Sequence, residues 1–182
     1  PAHVAAFVLA AAIVYSAIRR DGRAIGLILG GIWLWVAVAF HLDRYSSINW
    51  AASYMGMAFA LQAALVVRTG YLRDKLAPQP DPVALALIAF AVVVQPVIGP
   101  LLGRDWAQAE IFGLAPDPTA VATLGVLLLD RRPHWHLLAI PLLWCVFTGL
   151  TLWAMEAPDA WVSPAAAGLA LVASLWKSLR AT

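Results

Sequence analysis

Residues 135–155 read WHLLAIPLLWCVFTGLTLWAM, a run without a single Asp, Glu, Lys or Arg. At about 1.5 Å per residue, a helix of this length covers the roughly 30 Å hydrocarbon layer of a bilayer. No polar face recurs at helical spacing, as a soluble amphipathic helix requires. The run predicts a membrane-spanning helix.

Runs of the same character lie on both sides of it, at 2–18, 24–40, 50–67, 83–99, 111–129 and 160–176. Of the 182 residues 63% are hydrophobic and 12% charged, whereas a soluble domain is about half apolar and a quarter charged. The expected fold class is all-α: a polytopic transmembrane bundle of about seven spans, forming one domain over 1–182. The fifth run is the weakest. Pro116, Asp117 and Pro118 interrupt it, so its regular helix is expected from Pro118, with 106–115 as a re-entrant or interfacial segment. The chain opens at Pro1 without Met and enters an apolar run at once, which reads as a truncated N-terminus. No basic residue precedes that run, so no signal peptide is recognisable.

Orientation follows from the basic residues. Alternate connections hold Arg19, Arg20 and Arg23, then Arg68, Arg73 and Lys75, then Arg131 and Arg132, then Lys177 and Arg180; the other connections hold only Arg44 and Arg104. The positive-inside rule puts the basic set in the cytoplasm, the N-terminus outside and the C-terminus inside. A bacterial inner membrane is the expected location and the bilayer the first partner. The net charge of +2 does not indicate nucleic acid, because the basic residues sit in short loops and form no single face.

Local signals refine the helices. A capping side chain before proline marks a helix start, and Asp81-Pro82, Asp117-Pro118 and Ser163-Pro164 fit; Asn49 is the expected cap of the third helix. Trp50, Trp106, Trp153 and Trp161 fall near outer boundaries, Trp135 and Trp176 near inner ones, as an interfacial belt requires. Trp33, Trp35 and Trp144 lie deeper and would suit a bound lipid, quinone or pigment, although packing against a neighbouring helix is the simpler reading. Gly26 and Gly30 make a GxxxG spacing, and Gly56 with Ala60 repeats the small-residue theme. Such faces serve contacts within the chain, with other membrane subunits or in a homo-oligomer.

No catalytic, nucleotide-binding or complete metal-binding motif occurs, and no cofactor is implied. The middle third of every predicted span lacks ionisable residues, which counts against proton-coupled transport. Gln62 and Gln95 are the chief polar groups within spans, and Pro96 after Gln95 predicts a kink. His41, Asp43, Asp105, Glu110 and Asp117 would share one depth at the outer surface and are acceptable ligands for a divalent cation, though solvated loop charges are the plainer reading. His134 and His136, two apart on a helix, point away from each other and do not suit a shared metal. The lone Cys145 reads as a small core residue.

Four stretches carry a resemblance: PAHVAAFVLAAAIVY at 1–15, HLDRYSSINWAASYMGMAFALQAAL at 41–65, IGPLLGRDWAQAEIFGLAPDPTAVATLGVLLL at 98–129, and IPLLW at 140–144. The chain resembles an uncharacterised family of bacterial multi-pass membrane proteins, domain of unknown function number sixty sixty-four. The resemblance implies a membrane location and no activity, and it directs attention to His41, Asn49, Gln62, Gly99, Pro100 and the turn 116–119, which includes Asp117 and Thr119.

Three functions fit these observations, in this order: a non-catalytic accessory or scaffold subunit of a larger membrane complex such as a respiratory or photosynthetic one; a pore or facilitator for a small neutral solute, lined by Gln62, Gln95 and the segment 95–119; and a ligand- or metal-binding membrane protein, or enzyme, using His41 and the outer acidic residues.

Overall fold

The computed structural model describes residues 2–180. Pro1, where the sequence suggests truncation, lies outside the described residues. Seven helices form among them: α1 Ala2–Ile18, α2 Gly22–Tyr45, α3 Ala52–Leu72, α4 Pro82–Leu101, α5 Pro116–Leu128, α6 Trp135–Ala154 and α7 Val162–Arg180. Five of them, α2, α3, α4, α6 and α7, are long and apolar enough to cross a membrane. No strand forms among the described residues, apart from an isolated bridge between Pro78 and Asp130.

The helices begin where side chains satisfy the first backbone N–H groups. Asp21 Oδ1 accepts from Ala24 N–H at 2.9 Å to open α2, and Asp81 Oδ1 accepts from Ala84 N–H at 2.9 Å to open α4 with Pro82 at its first position. Each acceptor replaces a partner that the first turn of a helix lacks. Asn49 acts just ahead of α3, where its Oδ1 accepts from Ala51 N–H.

Two expected caps are not caps. Helix α5 starts at Pro116 instead of Pro118, so Asp117 lies in its first turn, and Ser163 lies inside the first turn of α7. Both side chains turn inward, for a reason that emerges at the site below.

Helix α5 is the core of the bundle. All of its residues from Pro116 to Leu128 are buried, and α2, α4, α6 and α7 pack against it. At 13 residues it is about 20 Å long, short for a lipid-facing span, but it meets protein on every side. A polar residue is tolerated at such depth when protein supplies its partners, and Thr123 shows how: its Oγ1 donates to Thr119 O at 2.7 Å and accepts from Trp33 Nε1 at 2.8 Å. The indole of Trp33 is thereby satisfied within the chain, while Trp35 stays exposed on the outside of the bundle.

Close packing explains the glycines of α2. A Cβ on Gly26 would sit 2.7 Å from the Cα of Gly70 in α3, a separation only two glycines permit. The GxxxG face therefore serves an internal contact, as such faces do when backbones must approach.

Three helices contain π-helical turns: Ala37–Tyr45 in α2, Val67–Leu72 in α3 and Phe90–Val94 in α4. The last has a sequence cause. Pro96 has no N–H for the carbonyl four residues back, so the turn widens and Gln95 N–H reaches Phe90 O instead.

The connections sort by charge onto two ends. At one end, Gln79 N–H donates to Leu129 O, Asp130 Oδ2 accepts from Ala77 N–H, and Lys177 pairs with Asp81 at 2.9 Å. The α3–α4 and α5–α6 loops thus meet the end of α7. Burial favours the neutral form of Asp130, but hydrogen bonds from His134, Ala77 and Arg132 outweigh it and hold the carboxyl below its usual value. His136 faces Thr69, with Nε2 3.2 Å from Oγ1, so the two histidines have separate partners. At the other end the α4–α5 and α6–α7 loops meet.

Candidate functional site

At this second end Gln95, Arg104, Glu110, Asp117, Asp159 and Ser163 are among the residues that line a small, partly open pocket of about 20 Å³, room for a single water-sized occupant. The kinked end of α4 brings Gln95. The α4–α5 loop contributes Arg104 and Glu110, α5 contributes Asp117, and the α6–α7 connection adds Asp159 and Ser163. Arg104 forms an ion pair with Asp159. A Cβ on Gly99 would lie 3.1 Å from Arg104 Nε, so glycine there leaves the guanidinium its path back over the helix end.

Asp117 is the anchor. Its Oδ1 accepts from Trp144 Nε1 at 2.7 Å and its Oδ2 from Ser163 Oγ at 2.9 Å. These partners explain why the Asp-Pro and Ser-Pro pairs are not caps: a buried carboxylate needs donors, and the two side chains satisfy each other. Thr119 secures the approach to α5. Its hydroxyl donates to Ala115 O at 2.7 Å and accepts from Gly113 N–H at 2.9 Å, fixing a turn in which Gly113 has a φ of +78° that suits glycine.

Burial first, and then the charges of Asp117 and Asp159, push the Glu110 carboxyl up to about 7 against the opposing charge of Arg104. Gln95 Oε1 is buried without a hydrogen-bond partner among the described residues. The pocket wall therefore carries three carboxyl groups against one guanidinium, together with an unsatisfied amide oxygen. Acceptors exceed donors.

A second buried polar group stands behind Trp144. The His41 ring packs against Phe59 at 4.5 Å and Trp144 at 5.1 Å between centroids, and neither ring nitrogen has a partner among the described residues. Trp144 thus touches His41 with its ring and Asp117 with its N–H.

The structure separates the residues that the sequence grouped. His41 and Asp117 are buried, Glu110 is half-buried, and Asp43 and Asp105 are exposed, Asp105 capping a short turn through Ala107 N–H. These acids and His41 therefore differ in exposure, and only Glu110 and Asp117 of the group line the pocket. Among the described residues no three His, Cys, Asp or Glu side chains gather as metal ligands. Gln62 is elsewhere: its Nε2 donates to Leu137 O at 2.8 Å, the carbonyl that Pro141, four residues on, leaves without a helical donor. Sequence reasoning missed Arg104, Trp144, Asp159 and Ser163 as members of the site. The signal available was the surplus of acids in the loops facing Arg104.

Comparison with known families accounts for nearly the whole chain: the model of the Family of unknown function (DUF6064) matches residues 2–182. The chain belongs to this family. No curated protein and no solved structure matches this DUF6064 chain.

Proposed function

We propose that the chain is a seven-span protein of a bacterial inner membrane, with its basic end in the cytoplasm, that uses the pocket at its opposite end to bind one small cationic or hydrogen-bond-donating ligand. The ligand is between a water and an ammonium ion in size. The observation that carries this reading is Gln95 Oε1, buried and unpartnered on a wall that also holds Glu110 and Asp117. A buried acceptor left unpaired costs about 1–3 kcal/mol, a cost that a donor in the pocket offsets. The surplus of acceptor oxygens favours a cation or a hydrogen-bond donor over an anion there.

The reading of seven spans draws support from the five long apolar helices, to which it adds α1 and the enclosed α5. The proposed orientation draws support from the grouping of basic loops at one end.

The test is thermal unfolding of the purified protein in nanodiscs, titrated with ammonium chloride against sodium chloride. Ammonium should raise the midpoint saturably in the wild type, and Gln95→Leu or Glu110→Gln should remove the response. Equal responses in wild type and variants overturn the reading.

An accessory or scaffold subunit is a second reading. It draws support from Gly31 and Gly168, where an added Cβ would meet no heavy atom within 4 Å, leaving room for another helix to approach. Purification in mild detergent with mass spectrometry of co-purifying subunits tests it. The facilitator reading has less support, because Gln62 is engaged with Leu137 and is not among the residues lining the pocket that contains Gln95.

A further inference from the structure

At the basic end lies a larger and unrelated feature. A cavity of about 500 Å³ is lined by Arg131, Arg132, Lys177 and Arg180, with Trp176 at its edge and Asp81 as its one carboxylate. The nearby carboxylate of Asp130 is engaged by Ala77 N–H and His134. We propose that this cavity binds the phosphate headgroup of an anionic phospholipid, an inference that rests on the membrane reading of the chain and not on the carboxylate pocket.

Arg131 and Arg180 are held ready by neighbours that leave their charge uncancelled. Arg131 Nε donates to Gln79 Oε1 at 2.7 Å, which orients the guanidinium and leaves its terminal amino groups available. The Arg180 guanidinium lies 3.5 Å from the centroid of the Trp176 ring, a cation–π contact that fixes the side chain without neutralising it. Among the described residues only Lys177 has an acidic partner, Asp81. Lys177 Nζ also donates to Leu128 O and Asp130 O, so Arg131, Arg132 and Arg180 are the cations left to a ligand, and guanidinium forks match phosphate oxygens in pairs.

Helix α7 points to a lipid as the source of the phosphate. Leu169, Val172, Leu175 and Trp176 are exposed along one face that leads to the cavity. From Leu169 to Arg180 this face runs about 16 Å, close to the thickness of one hydrocarbon leaflet, about 15 Å. A headgroup in the cavity would lay its acyl chains along that stripe. Basic pockets between spans at the cytoplasmic face recognise anionic headgroups in this way.

Full-length protein in neutral detergent, supplemented with phosphatidylglycerol or phosphatidylcholine, provides the test, with retained lipid counted by native mass spectrometry. The expected result is a several-fold preference for phosphatidylglycerol that disappears in the Arg131→Gln/Arg132→Gln variant and persists in Arg19→Gln/Arg20→Gln, which alters a different basic loop. Arg180→Gln, near the exposed end of α7, should show a partial loss even where the double variant fails to fold. No preference in the wild type, or an equal loss in the Arg19/Arg20 variant, overturns the proposal. So does inorganic phosphate that displaces the lipid at matched concentration, because a lipid site gains from its acyl chains as well.

Discussion

The indole N–H of Trp144 donates to Asp117 Oδ1 at 2.7 Å, across the contact between α5 and α6. Asp117→Ala would strand that N–H and the hydroxyl of Ser163, a cost of about 2 kcal/mol, whereas loss of a simple helix cap costs about 1 kcal/mol. Asp117→Asn retains one acceptor oxygen and should fall between. The lone Cys145 is buried, so a thiol-reactive dye reports unfolding, and the order of the midpoints decides between the two roles.

Glu110 makes stability depend on pH. Its carboxyl is raised from 4.5 to about 7, so between those values the folded chain holds a proton that the unfolded chain has released. The contribution of Glu110 to stability is then fully present below pH 4.5 and is lost as pH rises through 7. Glu110→Gln should flatten the profile across that window in thermal unfolding followed at constant ionic strength; an unchanged slope would show that Glu110 is not its source.

His41 predicts a gain. Both ring nitrogens are buried without partners, so His41→Leu removes an unsatisfied polar group and should stabilise the protein by about 1 kcal/mol in the same dye assay. A marked loss would reveal a partner that the ring needs.

Gln62 and Pro141 should be coupled. Gln62→Leu leaves Leu137 O without a donor and should cost about 1 kcal/mol, since hydrogen bonds between membrane helices are worth roughly that. Adding Pro141→Ala restores a backbone N–H four residues on and should recover part of the loss. A double-mutant cycle reads the coupling directly, and strict additivity would contradict the assignment.

Hydropathy made the helices legible. Each predicted run has a helix over it, and Asp81 and Pro82 mark the start of α4 as expected. It did not distinguish a helix facing lipid from one facing protein, because both are apolar; hence the run at 111–129 gave no sign that α5 is enclosed by the other helices. The site was half legible. Glu110 and Asp117 drew attention as acids, and Gln95 as a polar group beside a kink. Asp117 looked like a cap because the Asp-Pro pair is local, while the partners that bury it, Trp144 and Ser163, are 27 and 46 residues away. The π-helical turn of α2 that holds His41 has no comparable proline signal.

Topology is the most direct test of the central claim, a seven-span chain with its basic end in the cytoplasm. In a Cys145→Ala background, Ser47→Cys in the α2–α3 loop and Ala77→Cys in the α3–α4 loop would be treated with a membrane-impermeant maleimide on intact cells. The account predicts labelling of Ser47→Cys at once and of Ala77→Cys only after permeabilisation. Labelling of both from the same side would contradict it.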